Sequence, residues 1–304
     1  MTEPAPAKPI SLPDDERTPR APSKPYAKIA GVCGWPIHHS LSPLIQNFWL
    51  QKMGIKGAYT MFAVHPEEAV YAFKSLKRTT ICGLNVTIPL KGKAFEAADE
   101  VTPDAQKLGV CNILYRRGDK LIGHNTDMEG FAGPLLQRVG HNYVLNNTVT
   151  VIGAGGAARA VIGALLAIGA PEIRLINRTD ERAELLAQNV NVPSLYAVPW
   201  RRMKDAIYGS GLVVNASAAG MKGMPPLKLD LEYLAPEGWV YDLVYTPQNT
   251  LLLKKARKLG FNTIGGLDML IAQARPSFKL FYEQLPPHDL DPRELIIQHL
   301  KAKK

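Results

Sequence analysis

From Tyr26 onward, short apolar runs alternate with segments of helical spacing. "YAKIAGVCG" (26–34) is a run of small and branched residues that reads as a buried strand. Within 44–53, Leu44, Ile45, Phe48 and Trp49 recur at the spacing of one helical face. "YTMFAV" (59–64) predicts a second strand. "PEEAVYAFKSLK" (66–77) predicts a helix, because Pro66 suits a first turn, acids follow it and lysines close it. "ICGLNVTI" (81–88) reads as a third strand, and helical segments broken at Pro103 cover 91–108. "CNILYRRGDKLIGHN" predicts a hairpin that turns at Gly118-Asp119. A helix is expected from about Asp127. Then "NTVTVIGAGGAARAVIGALLAIGAPEIRLINRT" reads as strand, glycine turn, helix, strand. "GSGLVVNAS" and "GWVYDLVY" add two strands, followed by a helix over 250–259 and a short strand "NTI". A long helix with one apolar face begins near Gly265, and Pro276 predicts a kink in it. There is no internal repeat. Strands alternating with helices predict an α/β fold.

With 304 residues the chain is long enough for about two domains. Its apolar fraction of 46% and charged fraction of 21% are those of a globular protein. Cys33, Cys82 and Cys111 are far apart and form no C-x-x-C pair. Neither a metal site nor a disulfide framework is expected, and a reduced, cytoplasmic setting fits. The net charge of +9 is spread without a lysine/arginine run or interleaved aromatics. No nucleic-acid partner is expected. A diffuse positive field suits a small anionic substrate or a phosphorylated cofactor. Residues 1–25 are rich in proline and charge, lack the apolar core of a signal peptide, and read as a disordered tail. The longest apolar run, Ala160 to Ala170, is too short to cross a membrane.

Gly153, Gly155 and Ala158 form a G-x-G-x-x-A turn between a strand and a helix. Side chains there would keep a pyrophosphate from the helix N-terminus, so Gly153, Ala154, Gly155, Gly156 and Ala157 are candidate dinucleotide contacts. An NAD-preferring site usually carries an acid at the end of the next strand. Here that place holds Asn177, Arg178 and Thr179, with Arg182 one turn on. An amide, a hydroxyl and two guanidinium groups suit a 2′-phosphate, which points to NADP. Arg182 reads equally as a solvated helix residue. Asp180 and Glu181 fit the dipole of a helix start.

Other polar constellations stand out along the chain: Ser40 and Ser42 in "HHSLSP", Asn85, Thr87 and Lys91 in "NVTIPLK", Asn112 in "GVCN", Asp127 in "GHNTDMEG", and Gln273 in "MLIAQA". Each alone has a plain structural reading as a helix cap or surface amide. Period-two alternation puts Asn85 and Thr87 on one side of their strand, facing toward Lys91.

Together, "GWPIHHSLSP", "NVTIPLK", "GHNTDMEG", "GAGGAARA", "NRT", "NASAAGM", "DLVYTP" and "GGLDMLIAQA" resemble, in order, the motifs of the shikimate dehydrogenase family. The resemblance spans about 28–281. It implies reversible NADPH-dependent reduction of 3-dehydroshikimate to shikimate, on the route through chorismate to the aromatic amino acids. It implies two α/β domains flanking a cleft, the second a Rossmann-type dinucleotide-binding domain. The expected division is a substrate domain over 26–126, an NADP domain over 127–263, and a helical segment over 264–304 that returns to the first domain. By the same resemblance Ser40, Ser42, Asn85, Thr87, Asn112, Tyr245 and Gln273 hold the polyhydroxy acid. Leu243 and Gly266 lie near the nicotinamide. Lys91 and Asp127 form the acid–base pair, with the proton assigned to the pair rather than to one member. A small-molecule substrate, no nucleic acid, no membrane and a monomer or homodimer are implied. The chain departs from the family at Val110-Cys111-Asn112-Ile113, usually Ala-Val-Asn-Thr, and at Asn215-Ala216-Ser217-Ala218, usually Asn-Ala-Thr-Ser. Two other readings stay open: a quinate/shikimate dehydrogenase with relaxed substrate or cofactor choice, and a catalytically silent nucleotide-sensing protein on the same fold. The "NRT" segment and Ser42 argue against the first. Retention of Lys91 and Asp127 argues against the second.

Overall fold

The computed structural model describes residues 27–302, so the expected tail over 1–25 lies outside the described residues. The first part of the chain runs β1 (Lys28–Gly34), α1 (Ser42–Lys52), β2 (Gly57–Ala63), α2 (Ala69–Ser75), β3 (Ile81–Val86), α3 (Lys91–Ala97), β4 (Glu100–Val101), α4 (Pro103–Leu108), β5 (Ile113–Arg117) and β6 (Lys120–His124). Its strands form one sheet in the order β2-β1-β3-β5-β6-β4. β1 is parallel to β2 and β3, while the β5–β6 hairpin adds antiparallel to β3.

After α5 (Asp127–Arg138) and α6 (His141–Leu145) come β7 (Val149–Ile152), α7 (Gly156–Ile168), β8 (Ile173–Ile176), α8 (Asp180–Val190), β9 (Leu195–Ala197) and α9 (Met203–Ile207). β10 (Leu212–Asn215), β11 (Trp239–Asp242), α10 (Leu251–Lys258) and β12 (Asn262–Gly265) follow. The second sheet has the order β12-β11-β10-β7-β8-β9, and every pair in it is parallel. A parallel sheet covered on both faces buries successive residues, which is why "VTVI" and "LVVN" are buried at every position. Thr150 is tolerated there because its hydroxyl donates to the Ala206 carbonyl at 2.5 Å and meets Ser210 Oγ at 2.8 Å.

α11 (Gly266–Tyr282) and α12 (Arg293–Ala302) complete the described chain. α11 follows the second sheet in sequence but buries its apolar face on the first. Phe278, Phe281 and Tyr282 share a core with Ala30, Val32, Ile45 and Trp49. Gln46 of α1 donates to the Ala274 carbonyl at 3.1 Å. The other face of the first sheet packs Leu84, Val86 and Leu114 against Phe73 and Leu90. α11 also lies tight on α5: a Cβ on Gly130 would sit 2.5 Å from the Cβ of Gln273.

Several elements differ from the pattern-based expectation. The helix expected over 66–77 is α2 alone, with a turn before it and a 3₁₀ turn over Leu76–Arg78 after it. The strand expected to reach residue 88 ends at Val86. The Thr87 N–H still bonds the Cys33 carbonyl, but Pro89 has no N–H to continue a ladder. β11 ends three residues before Tyr245. Within the stretch expected to be helical over 91–108, Glu100 and Val101 instead form β4, paired parallel to β6, and α6, β9, α9 and α12 have no counterpart in that expectation.

Candidate active site

β1 and β3 are parallel, so their carboxyl ends open on one edge of the sheet, the usual place for ligands in such folds. The Ser40–Ser42 loop leaves β1 there. Asn85, Thr87 and Lys91 leave β3 there, and Trp35 N–H bonds the Ile88 carbonyl between the two segments at 3.2 Å. β5 runs antiparallel to β3, which brings Asn112, just before β5, to the same edge; its carbonyl accepts the Val86 N–H at 2.7 Å. Residues 125–127, just after β6, return to that edge as well.

Lys91 is the first residue of α3 and Asp127 the first of α5. Neither is a surface residue: their side chains are 16% and 7% exposed, and Lys91 Nζ donates to Asp127 Oδ2. Asp127 does not cap its own helix, where no side-chain cap bond forms. Its second oxygen, Oδ1, accepts from Asn112 Nδ2 at 2.8 Å, and its backbone N–H donates to Asn125 Oδ1 at 2.9 Å. Asn112 is itself locked. Nδ2 also donates to Thr126 Oγ1 at 3.1 Å, and Oδ1 accepts the Thr126 N–H at 2.9 Å. Both amide hydrogens are therefore used within the protein, and only the carbonyl keeps acceptor capacity. Asn125 and Thr126, which have no candidate role from sequence, thus fix the carboxylate.

Ser42 is buried at the start of α1, and Ser40 Oγ accepts its N–H at 3.3 Å. Asn85 is buried, with Oδ1 accepting from the Tyr59 hydroxyl at 2.6 Å. Thr87 is half-buried; Gly34 makes room for its methyl, since a Cβ there would lie 2.7 Å from Thr87 Cγ2. Gln273 reaches this edge mainly through its backbone: its carbonyl accepts the Thr126 hydroxyl at 3.1 Å, while its amide folds back on Leu270 of its own helix at 3.0 Å. Tyr245, in the loop after β11, packs against the first sheet's core, and burial raises its phenol.

Across from this cluster lie the carboxyl ends of β7, β8, β10, β11 and β12. Gly153 has φ +117°, and a Cβ on it would lie 3.0 Å from the Ala216 backbone. Gly155 is the N-cap of α7, and among the described residues nothing lies within 4 Å of where its Cβ would be. That open space in front of a 13-residue helix, beside Ala154, Gly156 and Ala157, fits a pyrophosphate. A Cβ on Gly156 would be 3.5 Å from Lys91 Cδ, so the turn and the Lys–Asp pair face each other directly. Arg178, Thr179 and Arg182 are exposed around the end of β8. Asn177 donates to the Thr179 carbonyl at 2.8 Å. Asp180 is turned away, accepting the Trp200 N–H at 2.7 Å, so the nearby acid does not oppose a phosphate there. Gly266 lies against Leu243: a Cβ on it would be 2.1 Å from the Leu243 carbonyl oxygen.

A buried network that sequence reasoning missed holds these loops. Asp242 accepts from Asn215 Nδ2 at 2.9 Å, Thr250 Oγ1 at 2.6 Å and the Val244 N–H at 3.1 Å. Burial raises its carboxyl in spite of these donors. Ser217 donates to Asn215 Oδ1 at 2.7 Å, so the departure at 215–218 retains a hydroxyl in the network. Ile113, the other departure, is fully buried in the first core. The available signal was the placing of a polar residue at the end of each of two buried parallel strands.

A glycine-cradled helix N-terminus on a parallel sheet, faced across a cleft by a half-buried lysine paired with a buried carboxylate, defines a two-domain dinucleotide-dependent oxidoreductase. Residues 32–114 match the family model described as shikimate dehydrogenase substrate binding domain, and 136–222 that of shikimate / quinate 5-dehydrogenase. The chain is 42% identical over 268 residues to shikimate dehydrogenase (NADP(+)) of Rhodospirillum rubrum, covering 86% of this chain and 94% of that one. A crystal structure of shikimate dehydrogenase with NADP+ aligns at TM-score 0.82 and 33% identity, over 90% of this chain and 96% of that one. The Thermus thermophilus enzyme, solved with NADP(H) and shikimate, aligns at TM-score 0.76 and 34% identity, over 88% and 96%. The chain belongs to the shikimate dehydrogenase family. Among the described residues no helix is long and apolar enough to cross a membrane.

Proposed function

We propose that this protein catalyses the reversible NADP-dependent interconversion of 3-dehydroshikimate and shikimate. The observation that carries this reading is the Lys91–Asp127 pair, a half-buried lysine on a buried carboxylate at the substrate-side edge and in reach of the glycine turn. Residues 26–126, completed by 264–304, would form the substrate domain, and 127–263 the cofactor domain. Bound NADPH supplies the hydride. The chain's own residues manage the oxygen. As negative charge grows on the carbonyl oxygen, the proton comes from the Nζ–Oδ2 contact, and Asn112 holds the carboxylate so that Lys91 points into the cleft. In the reverse direction the pair takes the hydroxyl proton back.

Ser40 and Ser42 sit at the N-terminus of the 11-residue α1, where the helix dipole and the two hydroxyls favour the substrate carboxylate. Asn85, Thr87, Asn112, Tyr245 and Gln273 are assigned to the ring hydroxyls, which requires the Gln273 amide to leave its own helix when substrate binds. Arg178, Thr179, Asn177 and Arg182 are assigned to the 2′-phosphate. Leu243 and Gly266 shape the nicotinamide end. Closure of one domain on the other would exclude water from the pair. The test is direct: the purified protein should reduce NADP+ with shikimate. Parallel assays with quinate and with NAD+ should be much slower. Failure to turn over shikimate with either cofactor would sink the reading.

A further inference from the structure

Tyr59 lies on β2, outside the family motifs quoted above from the sequence, yet its phenol reaches the candidate substrate edge. In the first sheet Tyr59 pairs with Ala30, and Ala30 with Gly83, while Asn85 pairs with Val32 one step further along. Residues at the same level of a parallel sheet point to the same face, so Tyr59, Ala30, Gly83, Val32 and Asn85 share one. Ala30 and Gly83 are small, which leaves a lane across β1 for the ring. The lane is narrow: a Cβ on Gly83 would sit 2.5 Å from Phe281 Cε1, and the Tyr59 and Phe281 rings lie 6.3 Å apart. Tyr59 is 3% exposed, and its hydroxyl ends 2.6 Å from Asn85 Oδ1.

A buried O–H must donate, and the acceptor in reach is the Asn85 carbonyl. That fixes which end of the amide faces the protein. Oδ1 is taken by the phenol, and Nδ2 is turned to the other side. We infer that Tyr59 is a positioning residue that holds Asn85 as a hydrogen-bond donor toward an oxygen of the substrate. Without the phenol the amide can flip, and a carbonyl presented to a hydroxyl oxygen repels unless that hydroxyl also turns. This deepens the proposed function and rests on Asn85 touching the substrate.

A double-mutant cycle tests it, with Tyr59→Phe, Asn85→Ala and the double variant assayed for shikimate oxidation with NADP+. Tyr59→Phe should raise the shikimate KM about three- to tenfold, the worth of one neutral hydrogen bond, with kcat and the NADP+ KM nearly unchanged. In the Asn85→Ala background, Tyr59→Phe should have no further effect on that KM. If Asn85→Ala does not fold, Asn85→Ser takes its place in the cycle. A purely structural role would lower Tm and the active fraction, hence kcat, and would act in both backgrounds alike. Equal effects of Tyr59→Phe with and without Asn85 would overturn the inference. So would an unchanged KM in Tyr59→Phe beside a raised one in Asn85→Ala. An unchanged KM in Asn85→Ala itself would overturn both the inference and the assignment of Asn85 to the substrate, while leaving shikimate turnover by the wild-type protein as the separate test of the reaction.

Discussion

Replacing Lys91 by Met separates its charge from its packing. The stem of Lys91 runs beside the glycine turn, 3.5 Å from where a Cβ on Gly156 would be, and Met keeps most of that apolar length. What is lost is the Nζ contact to Asp127 Oδ2. Two effects follow. On stability, breaking a fully buried ion pair by removing one partner costs ~3–5 kcal/mol. Here Lys91 is 16% exposed at the cleft and Asp127 keeps the Asn112 donor at 2.8 Å, so the loss should fall to about 1–3 kcal/mol. On rate, a positioned proton donor contributes about 10²–10⁴-fold, or roughly 2.7–5.5 kcal/mol of barrier. The assay is steady-state oxidation of shikimate at saturating NADP+, with Tm recorded on the same preparation. The expected result is kcat down by two orders of magnitude or more and a shikimate KM that moves far less, because Ser40, Ser42, Asn85 and Thr87 remain. Lys91→Arg should not rescue kcat, since a guanidinium does not release its proton at working pH. A Lys91→Met enzyme that folds and turns over at a near-wild-type rate would refute the proposed chemistry.

Three further outcomes are expected. Arg178→Ala should raise the NADP+ KM by the equivalent of about 1.5–3 kcal/mol, the worth of a charge-assisted hydrogen bond, and leave NAD+ use unchanged; equal losses for both cofactors would show that Arg178 does not read the 2′-phosphate. Gly266→Ala should lower stability by about 3 kcal/mol, the upper end for overpacking, because the clash is with the Leu243 backbone at 2.1 Å rather than with a side chain that can yield; an unchanged denaturant midpoint would contradict it. Asp242 has its carboxyl raised by burial, so the folded state holds that proton more tightly than the unfolded one, and stability falls as pH rises from the ordinary value of 3.8 through the raised folded value. Asp242→Asn should remove that fall, so that urea unfolding shows the variant gaining on the wild type from acid to neutral pH; a wild type that gains on the variant instead would reverse the sign.

What the sequence makes legible here is whatever depends on neighbours along the chain. The glycine turn is a local feature, since the strand before it, the helix after it and the missing side chains lie within about twenty residues. The absence of an acid after β8 is equally local, and so is the alternation that aligns Asn85 with Thr87. What stays hidden depends on register between strands distant in sequence. Tyr59 and Asn85 are 26 residues apart and meet only because β2 and β3 flank β1 and because Ala30 and Gly83 are small. Asn215, Asp242 and Thr250 look like scattered polar residues until β10 and β11 pair and bring their ends together. The family motifs name Asn112 and Gln273, but only the fold shows that Asn112 has both amide hydrogens bound within the protein and that the Gln273 amide is folded onto its own helix. These two residues therefore differ in the work left for substrate. Under the proposed assignment, Gln273 needs a side-chain rotation before its amide can meet a ring hydroxyl. Under the proposed mechanism Asn112 offers only its carbonyl oxygen unless the Asp127 carboxylate lets go, so its main effect on the reaction would pass through the orientation of Asp127 and, beyond it, Lys91.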